Sequence, residues 1–139
     1  MKPTAILLPV VVQVALTVAV LVAMGPARAA SMREKGQRLS DRDVTLGRND
    51  WSDQAIKLAN SYRNQFELPV LFYAVVAYAL QTSAVDMVLV ALAWVFAVSR
   101  IVHAAIHIGP NVVAWRGAAF LIGLVALIAM WTKLALHAI

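Results

Sequence analysis

Four polar residues recur at helical spacing just before an apolar stretch of the chain. They are Asn60, Arg63, Asn64 and Glu67. Steps of three and four residues place them on one face of a helix. Because charges that face lipid are costly, we expect this face to point into the protein, with Arg63 and Glu67 coupled to each other. Guanidinium groups pair well with carboxylates, so this face is a candidate polar binding site.

A second polar set lies in the sequence SRIVHAAIHI. Arg100, His103 and His107 occupy positions i, i+3 and i+7, again on one helix face. Arg116 opens the next apolar run, and Phe120 follows one turn later. Both sets lie at the same predicted end of their helices. This agreement favours one shared polar site over separate basic side chains that reach to lipid headgroups.

Other kinds of site fit these residues less well. His103 and His107 are four residues apart, as in a zinc-binding helix, but no glutamate lies between them and no third ligand is evident. A haem with two histidine ligands needs facing helices, and His137 is predicted at the opposite side of the membrane. The chain has no cysteine, which excludes a thiolate metal site and a cysteine nucleophile. We therefore predict no metal centre.

The composition indicates the class of protein. Of the 139 residues, 62% are hydrophobic and 14% are charged, whereas soluble proteins have about 25% charged residues. A soluble domain of this size could not bury so much apolar surface. The net charge of +5 comes from basic residues that cluster beside the membrane, which favours contact with anionic lipid over nucleic acid. We expect one all-α integral membrane domain, residues 1–139.

Four segments are long enough to span a bilayer, which takes about 20 apolar residues. The predicted spans are about 4–27, 55–80, 85–108 and 112–138, with a cytoplasmic loop at about 28–52. The second segment is short on its own, from about Phe66 to Leu80, and a helical pattern extends it backwards toward Ser52. Asp50 or Ser52 can cap the helix that leads into it.

Three prolines predict local features of these spans. Pro26 predicts the end of the first helix, and Pro110 predicts a turn. Pro69 cannot donate a backbone hydrogen bond, so we expect a kink in the second helix and a free carbonyl at Gln65, beside Glu67.

The basic residues predict the orientation of the chain. Six follow the first span: Arg28, Arg33, Lys35, Arg38, Arg42 and Arg48. Loops rich in lysine and arginine stay cytoplasmic, so both termini should face outward. The first segment also resembles a secretory signal peptide ending in ARA, but its apolar run is about twice the usual length and the positive charge follows it.

The motifs RNQFELP and RIVH resemble those of the MAPEG family, the membrane-associated proteins in eicosanoid and glutathione metabolism. Arg63, Asn64 and Glu67 match the Arg-Asn-x-x-Glu signature of the family's second helix, and Arg100 and His103 match Arg-x-x-His of the third. The resemblance covers most of the chain and is to the bacterial type of member, which implies a bacterial inner membrane. It implies a left-handed four-transmembrane-helix bundle that assembles as a homotrimer. It also implies glutathione as co-substrate, bound between neighbouring subunits near the cytoplasmic face.

The resemblance also implies roles for individual residues. Those that would bind glutathione are Arg63, Asn64, Glu67, Arg100 and His103. Stabilisation of the thiolate is expected of other groups, because no serine or tyrosine stands at the usual positions. Arg116 is the first catalytic candidate because it opens the fourth span at this membrane level, and His107 is the second because it extends the Arg100–His103 face by one turn. The arginines would attract the carboxylates and the thiolate, and Glu67 would receive the ammonium group or orient an arginine.

The chain departs from the family where thiol activation is often assigned. His107 stands where many relatives carry a tyrosine, Gly117 and Ala118 follow Arg116 where the prostaglandin branch has a serine, and Phe120 replaces an expected tyrosine. The eicosanoid branches are therefore disfavoured. The sequence predicts a glutathione-dependent membrane transferase or peroxidase that acts on lipophilic electrophiles. The alternative is a non-catalytic membrane protein of this fold that binds an anionic amphiphile or a protein partner.

The predicted orientation can be tested with a reporter that is active only outside the cytoplasm. Fused after Ile139, it should be active, because the basic loop holds both termini on the outer side. The same reporter inserted after Gly36 should be inactive. A cytoplasmic signal at Ile139 would contradict both the orientation and the shared membrane level of the two polar sets.

Overall fold

The computed structural model describes residues 2–36 and 50–139. The described residues are helical and contain no strand. A 3-10 turn at Pro3–Ile6 leads into five helices: α1 (Leu7–Lys35), α2 (Asp53–Asn64), α3 (Leu68–Gln81), α4 (Met87–Ile108) and α5 (Val113–His137). Arg38, Arg42 and Arg48 of the predicted cytoplasmic loop lie outside the described residues.

Three stretches of the described chain are long and apolar enough to cross a membrane. They are Pro3–Lys35, α4 and α5. Their outward faces carry large apolar side chains, such as Val22, Val95 and Val125, which are 66%, 45% and 64% exposed. Such faces suit contact with lipid, as the composition predicts.

The first helix continues beyond its predicted end. Pro26 lies inside α1, and the helix ends at Gly36, whose φ of 60° is the left-handed conformation common after helix C-termini. The prediction that Pro26 ends the helix is wrong, because an internal proline removes a helix hydrogen bond without necessarily stopping the chain from continuing. Arg28 and Arg33 therefore project from a helix, not from a loop.

The second predicted span consists of two helices separated by a break at residues 65–67. Pro69 lies in the first turn of α3, where its missing N–H needs no helical partner. α3 has 14 residues, which corresponds to about 21 Å, less than the roughly 30 Å of bilayer hydrocarbon. Three membrane helices are thus found, while the four-span bundle stays a prediction.

The break at residues 65–67 divides the interior into two halves. In the apolar half, α3 packs with the start of α4 and the end of α5 around Ile6, Phe72, Phe96 and Met130. The rings of Phe72 and Phe96 stack with centroids 4.4 Å apart. In the polar half, α2 packs on α1 and on the end of α4. The two predicted polar sets belong to this second half.

Serine side chains fix the start of α2. The Ser52 hydroxyl accepts a hydrogen bond from the N–H of Ala55 at 3.4 Å, as expected of a helix cap. The N–H of Ser52 donates to the hydroxyl of Ser31 on α1 at 2.8 Å. Asp50 pairs instead with Lys35, at 2.7 Å. Of the two predicted caps, Ser52 is therefore the one that the structure uses.

The helices α4 and α5 make a close approach at Gly123. A Cβ atom at this position would lie 2.5 Å from Ser99 Oγ and 3.8 Å from Arg100 Cδ. Ser99 is buried and donates to the carbonyl of Phe96 at 2.7 Å. The glycine thus gives space to Ser99 and to the stem of Arg100, as small residues do where membrane helices pack closely.

Replacing Gly123 with alanine should destabilise the protein by about 1–3 kcal/mol, because the added methyl group overpacks the contact with Ser99. Thermal unfolding in detergent would measure the effect. The double variant Gly123→Ala/Ser99→Ala should recover much of the loss. Gly117→Ala is the matched control, since nothing lies within 4 Å of a Cβ there. Equal losses in the single and double variants would contradict the steric explanation.

Candidate functional site

The guanidinium group of Arg100 lies at the centre of the polar half. Arg100 is 1% exposed, and its Nη2 donates to the backbone oxygen of Asn64 at 3.3 Å. This carbonyl belongs to the last turn of α2, where helix carbonyls lack helical partners and a cation is favourable. Within residues 2–36 and 50–139, Nε and Nη1 of Arg100 have no hydrogen-bond partner. A buried cation therefore keeps two nitrogen donors without an acceptor.

The side chain of Asn64 links the two histidines of α4. Its Nδ2 lies 3.4 Å from His103 Nε2 and 3.3 Å from His107 Nδ1. With the Asn64 amide nitrogen as the donor, both ring nitrogens accept, and this assignment corresponds to two neutral imidazoles. His103 then donates from Nδ1 to the backbone oxygen of Arg116 at 3.0 Å. His107 carries its proton on Nε2, so it is able to donate one further hydrogen bond.

The loop between α4 and α5 holds the Arg116 side chain. Nη1 of Arg116 donates to Oδ1 of Asn111 at 2.6 Å. Asn111 has a φ of 53°, a left-handed conformation that asparagine tolerates better than most residues. Lys57 of α2 contacts the same loop, donating to the carbonyl of Gly109 at 3.3 Å. Because this partner is a neutral amide, it does not compensate the charge of Arg116.

An aromatic ring on α5 completes this group. Phe120 lies under the Arg100 guanidinium, with 5.8 Å from Cζ to the ring centroid, and its centroid is 5.9 Å from that of His103. A guanidinium over an aromatic face is an attractive contact that does not neutralise the charge. No cluster of three His, Asp or Glu side chains able to hold a metal ion occurs in the described part of the chain.

Five of the seven predicted site residues come together in this group. They are Asn64, Arg100, His103, His107 and Arg116. Arg63 and Glu67 differ from these five residues in that both are exposed. No ion pair joins these two residues within the described ranges. The prediction that Arg63 and Glu67 face inward as a coupled pair is therefore wrong for the single chain.

Local geometry explains why these two residues point outward. Successive residues of a helix differ in direction by about 100°, so Arg63 turns to the surface when its neighbour Asn64 turns inward. Glu67 lies in the break, with a φ of −92° and a ψ of −100°, and so leaves the helical stripe on which it was predicted.

The charge pattern connects Arg28 only with the orientation of the chain in the membrane. In the structure, Arg28 lies close to Arg63. The two arginines line one surface cavity of about 420 Å³, together with Tyr62 and Phe66. The Arg28 guanidinium also lies 5.4 Å from the ring centroid of Trp51. The missed signal was the length of α1: a first helix that continues past Pro26 brings Arg28 beside α2.

An all-helical membrane protein with a cationic group at one end of its interior is the class that these observations define. The chain belongs to the MAPEG family, whose model matches residues 6–136. Searches of curated proteins and of solved structures gave no match. The protein is accordingly an integral membrane protein of a family related to glutathione and eicosanoids.

Replacing Asn64 with leucine should destabilise the protein by about 1–3 kcal/mol, because two buried ring nitrogens lose their donor. Asn60→Leu is the matched control, since Asn60 lies on the same helix but is exposed. Thermal unfolding of both variants in detergent would compare them. Equal stability of the Asn64 and Asn60 variants would contradict the hydrogen-bonded link between α2 and α4.

Proposed function

We propose that this protein is a glutathione-dependent membrane transferase or peroxidase that acts on lipophilic electrophiles. The observation that carries the proposal is the Arg100 guanidinium, buried with two nitrogen donors unpaired among the described residues. A buried charge without sufficient partners is expensive. An anionic group of a ligand supplies the missing acceptor, and family membership makes glutathione the first candidate.

The chemistry of glutathione suits the residues present. It brings two carboxylates, one ammonium group and one thiol. Arg100 in the interior and Arg63 at the surface each offer a guanidinium group for a carboxylate. Glu67 is available to the ammonium group because it is exposed and has no ion-pair partner within the described residues. Asn64 and His103 orient this group through their mutual contact, at 3.4 Å.

The exposure of Arg63 and Glu67 favours an assembly. Charged side chains that face lipid are costly, whereas a neighbouring subunit can cover them. We propose a homotrimer in which a neighbouring subunit covers Arg63 and Glu67. The site would then lie between two subunits and be incomplete in one chain.

Thiolate formation is the step that requires catalysis. A free thiol has a pKa of about 8.5 and is mostly protonated at neutral pH. Lowering that pKa by one unit takes about 1.4 kcal/mol of preferential thiolate stabilisation. Arg116 supplies this through its positive charge, which its neutral partner Asn111 does not compensate, and His107 adds a hydrogen bond from Nε2. No serine or tyrosine stands at positions 107, 117, 118 or 120, so this work rests on the cation.

The bond changes follow from the thiolate. In the transferase reaction its sulfur attacks an electrophilic carbon, a carbon–sulfur bond forms, and the leaving group departs with the bonding electrons. In the peroxidase reaction it attacks the terminal oxygen of a hydroperoxide, and the released alkoxide takes a proton. A second glutathione then converts the sulfenic acid to a disulfide and water. The lipophilic reactant reaches the site from the bilayer.

A non-catalytic role is the second candidate. The positions at which relatives activate the thiol carry His107, Gly117, Ala118 and Phe120 in this chain. A protein that keeps the fold and the buried arginine can bind an anionic amphiphile or a protein partner without forming a thiolate. Conjugation of glutathione to a generic aromatic halide by the purified protein distinguishes the two candidates.

Two arginine substitutions should separate thiolate formation from binding. Arg116→Gln is expected to lower turnover and the thiolate fraction about tenfold, which corresponds to about 1.4 kcal/mol, while most of the affinity for glutathione remains. Arg63→Gln is expected to weaken binding first. Calorimetry measures affinity, and ultraviolet absorbance measures the bound thiolate. Arg33→Gln, an exposed arginine near the end of α1, is the matched control.

Three outcomes would count against this assignment. If Arg116→Gln forms as much thiolate as the wild type, Arg116 is not the activating residue. If His107→Phe is equally without effect, the non-catalytic candidate is favoured. If the wild-type protein neither binds glutathione nor conjugates it, the proposed function is wrong.

A further inference from the structure

A polar side chain of α1 contacts the break at residues 65–67 from the protein interior. Gln13 is fully buried, and its Nε2 donates to Oε1 of Gln65 at 2.8 Å. Gln65 is the first residue of the break and is 1% exposed. Its own Nε2 donates to the backbone oxygen of Ser61 at 3.2 Å. A chain of two hydrogen bonds therefore connects α1 with the last turn of α2.

These side-chain hydrogen bonds replace a backbone hydrogen bond that the break removes. In a continuous α-helix the carbonyl of Ser61 would accept from the N–H of Gln65. That N–H donates instead to the backbone oxygen of Tyr62 at 3.0 Å, and this shorter step tightens the last turn. The side chain of Gln65 then satisfies the Ser61 carbonyl, and Gln13 holds that side chain in place.

The first helix thus holds α2 at both ends. Ser31 accepts from the N–H of Ser52 at the start of α2, and Gln13 contacts Gln65 at its end. Both α1 residues are buried, at 1% and 0% exposure, and they lie on the face of α1 that also buries Val20. The placement of α2 against α1 is accordingly fixed by two polar contacts.

Burying the Gln13 amide at this position is energetically unfavourable. Gln13 Oε1 and the hydroxyl of Ser61 are buried without a partner in the described part of the chain. Unpaired polar atoms of this kind are costly in a membrane protein, and a leucine would fill similar space without them. What the amide provides, and leucine does not, is a directional contact with Gln65.

We infer that Gln13 is a positioning residue for the candidate site. By holding Gln65 it sets where α2 ends, and hence the directions of Arg63 and Asn64 in the last turn and of Glu67 in the break. The side chain of Gln13 donates its hydrogen bond to Gln65, so Gln13 acts on the site through that residue. As far as these residues bind glutathione, the inference rests on the proposed function.

The test compares Gln13→Leu with Ser31→Ala in the full-length protein in detergent. Each variant removes one buried polar contact between α1 and α2, but at opposite ends of α2. In Gln13→Leu, amide hydrogen exchange over residues 61–68 should become at least tenfold faster, and the dissociation constant for glutathione should rise about tenfold. The thiolate fraction of the bound glutathione should stay unchanged. In Ser31→Ala, the exchange over residues 61–68 and the affinity should both stay within twofold of the wild type.

A conservative variant separates positioning from packing. Gln13→Glu keeps the length of the side chain, and a buried carboxyl is neutral and can donate to Gln65 Oε1. We expect this variant to retain exchange and affinity close to the wild type. If Gln13→Glu shows the same faster exchange and the same weaker affinity as Gln13→Leu, the positioning role is overturned.

The remaining outcomes also decide the inference. Wild-type exchange and affinity in Gln13→Leu would overturn it. If Gln13→Leu does not fold, the double variant Gln13→Leu/Gln65→Leu replaces both partners with apolar groups and should fold, with fast exchange over residues 61–68. Slow exchange there, or failure of both variants to fold, would overturn the inference. If the wild type does not bind glutathione, the exchange data alone decide the role of Gln13, and only the proposed function is lost.

Discussion

The hydrogen bond from Arg100 to the carbonyl of Asn64 is the interaction on which the polar half depends. In lipid, every backbone polar group needs a partner within the protein. The break at residues 65–67 removes helical partners from the end of α2, and Arg100 supplies one of them. The arginine in turn gains a position at a helix C-terminus, where the carbonyl dipoles favour a cation. Because only part of the guanidinium is satisfied in this way, two of its nitrogens have no acceptor among the described residues.

Lysines and arginines have different kinds of partner among the described residues. The two ion pairs found in the described ranges join lysines to acids, Lys35 to Asp50 and Lys133 to Asp86. In the polar half the arginines contact neutral oxygens instead. Arg100 donates to a backbone carbonyl, and Arg116 donates to the Asn111 amide. The histidines beside them are neutral as well, so the positive charge of this half remains available to a ligand.

The sequence was sufficient where the structure is regular. Arg100, His103 and His107 were predicted on one face of a helix, and they are 1%, 5% and 6% exposed on α4. Residue spacing determines side-chain direction within an unbroken helix, so this prediction needed no tertiary information. The resemblance in RNQFELP and RIVH was likewise confirmed by the family that matches nearly the whole chain.

The sequence was insufficient where tertiary contacts decide the backbone. Pro26 remains inside a helix while Pro69 follows a break, although both are prolines in apolar surroundings. The outward direction of Glu67 follows from the break and could not be read from its spacing. Gln13 gave no signal, because a lone amide in an apolar run has no periodicity and its partner is 52 residues away.

The break at residues 65–67 also separates the aromatic packing of the protein from its cationic group. The packed rings of Phe72 and Phe96 lie in one half, and the guanidinium and imidazole groups lie in the other. A substitution around Arg100 removes contacts of the polar half, while the apolar packing of α3, α4 and α5 is left in place. A loss of contacts at one end of the interior therefore need not spread to the other end.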